Sequence, residues 1–129
     1  VSLEEKLLFE SGKTKVNPRG VEALKDLARV LEKNPDINIM VIGHTDDVPY
    51  ISDECTKDNW DLSVKRSTSV IRIILDNSEI NPTRITAAGK SQYDPAVNGK
   101  SDEARRKNRR TEVVLQPNLD ELFDIVGKN

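Results

Sequence analysis

The run Ile37-Asn38-Ile39-Met40-Val41-Ile42 is apolar and β-branched, alternates around Asn38, and predicts a buried strand that stops at Gly43. From Asn59 onward the period changes. Leu62, Val70, Ile73 and Ile74 fall on one face of a helix expected over about Asp61 to Asp76, ended by Asn77-Ser78 and Asn81-Pro82. Upstream, Asn17-Pro18 opens a helix, with Asn as N-cap and proline at the first helical position, where its missing N–H is not needed. Val21, Leu24, Leu27, Ala28 and Leu31 mark its apolar face until Asn34-Pro35-Asp36 stops it. Lys6-Leu7-Leu8-Phe9-Glu10 reads as a first strand turning at Ser11-Gly12. Downstream, Arg84 to Ala88 is a short strand closed by Gly89, and Gln92 to Lys100 is a loop. Ser101-Asp102-Glu103 caps a brief helix through Lys107, and Thr111 to Leu115 is the last strand.

Two strand-helix-strand crossovers with a final returning strand give an α/β two-layer sandwich, β-α-β-α-β-β, with a small mixed sheet and helices on one face. The domain is expected to span residues 1–116. Residues 117–129, with Leu119, Leu122, Phe123 and Val126 at helical spacing, are expected to form a C-terminal helical extension packed on the domain, with a docking helix for a partner as the alternative.

This order places charge at one mouth. Asp46 follows the strand's carboxyl end in Gly43-His44-Thr45-Asp46, and Arg66 lies one turn after Leu62, near the start of the next helix. In an open α/β unit these ends share the sheet edge where ligands bind. Two readings stand open: an internal Asp46–Arg66 salt bridge, or a clamp for a zwitterion, in which an acceptor-only anion and a planar guanidinium hold an ammonium and a carboxylate. If the last strand runs antiparallel to its predecessor, Arg109 and Arg110 begin beside Asp46, and alternation turns only one of them into the groove. The polar stretch Asp47 to Asp58 is long for a connection and overhangs Asp46, either as a flap or specificity wall or as a tolerated surface insertion. Thr45 either binds ligand or caps the turn, Asn59 either binds ligand or caps the helix, and Leu62 is either an apolar wall or core.

Composition adds bounds. At 129 residues, 36% hydrophobic and 33% charged, the chain suits one soluble domain with a heavily charged surface and no need of disulfides or metal. A net charge of −2 gives no global pull toward nucleic acid, and Arg105 to Arg110 is too short and lacks interleaved aromatics for that role. No stretch approaches a membrane span and no apolar signal core precedes Leu3, so the chain is expected to be a cytoplasmic protein or a processed or excised fragment. Cys55 is alone, which excludes an intramolecular disulfide. His44 with Asp46 and Asp47 makes no complete metal site, and His44 with Cys55 lacks a third group to orient the imidazole.

Three stretches in order, Gly43-His44-Thr45-Asp46, then Asn59-Trp60-Asp61-Leu62-Ser63 with Arg66, then Asn108-Arg109-Arg110 before a last strand, closely resemble the OmpA-like peptidoglycan-binding domain of the OmpA/MotB family. The resemblance runs from about Leu8 to Leu115. It implies that Asp46 and Arg66 bind the free end of diaminopimelate in the peptidoglycan stem peptide and that Arg109 is the groove arginine; His44, Thr45, Asn59 and Leu62 are the further candidate ligand-binding residues beside them. It further implies a module without catalysis, metal or cofactor, lodged in the periplasm at the outer membrane of a diderm bacterium. There it would tether an outer-membrane or envelope protein to the wall, its membrane anchor lying outside this chain. The alternative within the family is a MotB-like flagellar stator domain, with homodimerisation coupled to wall binding.

Overall fold

Residues 1–53 and 55–117 are described by the computed structural model. Among them the chain forms β1 (Ser2–Glu4), α1 (Glu5–Leu8), α2 (Pro18–Glu32), β2 (Ile37–His44), α3 (Asn59–Asp76), β3 (Ile85–Gly89), α4 (Asp102–Asn108) and β4 (Arg110–Pro117), with a 3-10 turn at Pro82–Arg84 before β3. The sheet order is β1-β4-β2-β3, with β2 and β3 parallel and β4 antiparallel to both β1 and β2. It is the mixed α/β sandwich the sequence predicts.

The local chemistry behind each element is plain. Asn17 accepts a hydrogen bond from the Gly20 amide at 2.8 Å and opens α2, whose buried Gly20, Leu24, Ala28 and Leu31 recur at helical spacing. Along β2 the buried positions alternate through Ile39, Val41 and Gly43, and Val113 of β4 lies opposite Val41 on the same face. Ile39, Val41 and Val113 meet Leu24, Leu31, Val70 and Ile74 in one core. Asp58, rather than Asn59, caps α3, accepting from the Asp61 amide at 2.9 Å.

The first strand differs from expectation. Lys6–Glu10 is not a strand: β1 lies earlier, at Ser2–Glu4, and Glu5–Leu8 is a single helical turn. An apolar run as short as Leu7-Leu8-Phe9 suits either conformation. Here Glu5 and Leu8, one turn apart, both face inward. Phe9 then bridges to Val16 across the Ser11-Gly12 turn, where Gly12 takes a φ of 72°. The helical reading of Leu119, Leu122, Phe123 and Val126 lies outside the described residues.

A close approach fixes α3 on the sheet. A Cβ on Gly43 would collide with the Ser63 carbonyl, and one on Gly89 would come within 2.5 Å of Ser63 Oγ. The absence of side chains at both points lets the first turns of α3 press onto the carboxyl ends of β2 and β3. Leu62 and Arg66 are thereby carried to the strand end from which Thr45 and Asp46 emerge.

Candidate functional site

Past the end of β2, the Thr45 amide donates to the Ser91 carbonyl at 2.9 Å, which sets the direction of the chain toward Asp46. The Asp46 carboxylate is almost covered, its side chain 12% exposed, and each oxygen has a partner. Oδ1 accepts from the Val48 amide at 3.0 Å, and Oδ2 lies 2.8 Å from Nη1 of Arg109. Arg109 enters this side because β4 starts opposite His44: Arg110 pairs with His44 in the register, and the residue before it turns the other way.

Arg66 is buried more deeply. Its Nη1 lies 2.7 Å from Oε2 of Glu5, its Nε donates to the Lys13 carbonyl at 2.9 Å, and its guanidinium carbon sits 4.9 Å from the centroid of the Phe9 ring. Glu5 also faces Arg109, with Oε1 3.6 Å from Nε. The four groups therefore run Arg66, Glu5, Arg109, Asp46 as one alternating chain of charge. An internal Asp46–Arg66 salt bridge is not formed; each finds another partner, because Glu5 and Arg109 stand between them.

These groups line a cavity of about 310 Å³. Thr45, Asn59 and Leu62 share it, so six of the seven residues singled out from sequence are brought together. Asn59 neither caps the helix nor points away: its Nδ2 donates to the Val48 carbonyl at 3.0 Å and pins the following loop. Leu62 is buried, lines the cavity and lies outside the main core cluster. The Thr45 hydroxyl donates to the Asp46 carbonyl at 2.9 Å.

His44 is the seventh, and it does not reach the cavity. By alternation it points to the opposite face of β2, where it is 2% exposed and neither ring nitrogen has a hydrogen-bond partner. Nε2 lies 3.5 Å from a Glu112 carboxylate oxygen that Arg110 Nε already holds at 2.7 Å. Burial, then Arg110, lowers the imidazole pKa, against the opposing pull of Glu112 and Asp94. A pairing of His44 with Cys55 is ruled out by place, since the thiol is exposed and the imidazole is not.

Sequence reasoning missed Glu5, which it placed ahead of a strand; the stretch it expected to overhang Asp46 supplies the cavity wall from Val48 to Ile51. That wall belongs to the 47–58 loop, whose described residues are held by hydrogen bonds. The Tyr50 hydroxyl lies 3.1 Å from Asp53 Oδ2 and 3.4 Å from the Gly12 carbonyl; burial, then Asp53, raises its pKa. Asp53 in turn accepts from the Cys55 and Thr56 amides at 2.8 and 2.7 Å, which lower its own pKa. At the loop's start Arg105 Nε meets Asp47 at 2.8 Å.

A smaller cavity of about 200 Å³ extends from Thr45 and Asp46 toward Gln92, Asn98 and Lys100. A larger groove of about 720 Å³ lies by Lys13, Val16, Pro18 and Val21, and none of Asp46, Arg66 and Arg109 lines it. Among the described residues no three His, Cys, Asp or Glu side chains gather as a metal site. None of the described helices is long and apolar enough to cross a membrane.

The model of the OmpA family matches residues 8–109. Motility protein B of Bacillus subtilis is 32% identical over 117 residues, which cover 91% of this chain and 44% of that protein. The peptidoglycan-associated lipoprotein of Buchnera aphidicola is 29% identical over 110 residues, 85% of this chain and 60% of that one. The chain thus spans about half the length of the curated relatives it matches. Among solved structures, a putative MotB like protein from Desulfovibrio vulgaris superimposes with a TM-score of 0.84 at 35% identity, covering 90% of this chain and 73% of that one.

Proposed function

This chain belongs to the OmpA family, and from that premise we propose that it is a non-catalytic module that holds the diaminopimelate end of the peptidoglycan stem peptide and so tethers its parent envelope protein to the cell wall. The observation that carries the reading is the cavity in which Asp46, Arg66, Arg109 and Glu5 converge. A free amino-acid end carries an ammonium and a carboxylate on one carbon; Asp46 offers the ammonium an acceptor-only anion, and Arg66 offers the carboxylate a planar fork. Leu62 gives the methylene stem an apolar wall, and Thr45 and Asn59 lie within reach of its polar groups. The two carboxylates balance the two guanidiniums, which suits a ligand of no net charge better than a simple anion or cation.

Similarity to a protein named for its association with peptidoglycan supports the wall as partner. Periplasmic placement follows from the same reading, with the parent anchored at the outer membrane. A second reading, a stator domain of the MotB kind working as a homodimer, draws on the likeness to Motility protein B and to the MotB like structure.

The test is a pull-down on purified peptidoglycan sacculi with and without free diaminopimelate. Binding that the free amino acid competes away is the expected result. No binding, or binding indifferent to the competitor, would leave a family member whose cavity serves another ligand.

A further inference from the structure

Both halves of the clamp are already occupied by parts of the chain itself. Three of the five N–H donors of Arg66 are directed at Glu5 Oε2, the Lys13 carbonyl and, at 3.5 Å, the Glu10 carbonyl, and only 4% of its side chain is exposed. Asp46 has Arg109 on Oδ2 and the Val48 amide on Oδ1. A cation therefore sits on Asp46 and an anion on Arg66. That cation and anion, Arg109 and Glu5, also face each other at 3.6 Å.

Deepening the reading of this site as a zwitterion clamp, we propose that the Glu5–Arg109 pair is a built-in stand-in for the ligand, and that Glu5 is the specificity-determining residue a ligand must displace from Arg66 with a free carboxylate. The fold holds the stand-in in place. The Glu5 amide donates to the Arg109 carbonyl at 2.9 Å, one residue beyond the Glu4–Arg110 register of β1 and β4, so the two side chains leave the sheet edge together. The carboxylate stays in the cavity because its side chain is only 10% exposed and both of its oxygens face a guanidinium. An incoming carboxylate that shares Arg66 meets a like charge until Glu5 gives way. A ligand whose carboxyl is amidated brings no anion to exchange and leaves Glu5 seated.

The experiment measures, by isothermal titration, the affinity of a diaminopimelate-containing stem tripeptide with its side-chain carboxyl free or amidated. The wild-type arm tests the clamp itself, which requires the free form to bind more tightly; equal binding, or none, removes the clamp and this inference with it. The Glu5→Gln arm tests the stand-in, since glutamine keeps an acceptor oxygen for Arg66 but gives up the competing charge. The free-carboxyl peptide is expected to bind about tenfold more tightly to this variant, a modest shift on the affinity scale. A residue that merely holds Arg66 in place would act with the opposite sign, so unchanged or weakened binding by a folded Glu5→Gln protein overturns the proposal. Glu5→Asp, which keeps the charge on a shorter arm, is the second variant. It should move affinity the same way by less, and a loss of affinity there counts equally against the stand-in.

Discussion

Nη1 of Arg66 and Oε2 of Glu5 lie 2.7 Å apart in a pocket that leaves only 4% and 10% of their side chains exposed. The pair joins two elements 61 residues apart in sequence, the first helical turn and the helix after the central strand. Removing one partner leaves the other charge buried without compensation. Arg66→Leu is expected to destabilise the fold by about 3–5 kcal/mol in urea unfolding. The double variant Glu5→Leu/Arg66→Leu is expected to recover much of that loss, giving a large coupling energy in the double-mutant cycle. Additive losses would mean that the backbone carbonyls of Lys13 and Glu10, not Glu5, hold the guanidinium.

In the proposed clamp, Asp46 is the residue at which loss of binding is expected to part from loss of stability. Its partner Arg109 keeps 29% of its side chain exposed and can return to water, and asparagine retains an oxygen for the Val48 amide. Asp46→Asn is therefore expected to melt close to wild type while losing about 1.5–3 kcal/mol of stem-peptide binding, the range for hydrogen bonds to charged groups. Calorimetric titration alongside a thermal melt checks both halves. Near-native affinity in the variant would detach Asp46 from the ligand ammonium.

Much of this site is legible in the chain before any fold is known, for identifiable reasons. Strand β2 and helix α3 declare themselves because their hydrophobic periods differ, and their adjoining ends bring Asp46 and Arg66 to one cavity. Alternation lets only one of Arg109 and Arg110 into the groove, and the family resemblance, not the spacing, picks Arg109, which lines the cavity. Glu5 was not legible. Its position depends on the pairing of β1 with β4, far apart in sequence, and on a helical turn next to an apolar run that also suits a strand. His44 shows the limit of a motif, since standing beside Thr45 and Asp46 in sequence does not decide which face of the strand it takes. The Asp46–Arg66 ion pair failed for a related reason: in a crowded charge cluster the nearest opposite charge depends on distances that spacing alone does not give.

Gly43 ties the fold to the site. A Cβ there meets the backbone carbonyl of Ser63, and a backbone group inside a helix has little room to yield. Gly43→Ala is expected to cost about 1–3 kcal/mol of stability, the usual scale of overpacking. It is also expected to weaken the peptide, because lifting α3 off the sheet carries Leu62 and Arg66 away from Asp46. Denaturant midpoints and peptide titrations on the same sample check the pair of effects. A destabilised variant with unchanged affinity would show that the cavity adjusts independently of where α3 rests.

His44 ties the open face of the sheet to pH. Burial, and after it the Arg110 guanidinium, keeps the imidazole pKa below its ordinary value near 6.5, with Glu112 and Asp94 pulling the other way and Lys90 adding to the lowering. In that interval the unfolded chain takes up a proton that the folded chain refuses, so stability rises with pH. The contribution is complete above about pH 6.5 and is lost as pH falls from there through the lowered folded value. His44 is the single histidine of the chain, and ordinary carboxylates as a class titrate below about pH 5. A slope in unfolding free energy between about pH 5 and 6.5 is therefore attributable to this ring. Chemical denaturation across that window is expected to show the slope in the wild type and to lose it in His44→Leu. Parallel curves for the two proteins would mean that the ring protonates in place, its charge taken up by the Glu112 carboxylate 3.5 Å away.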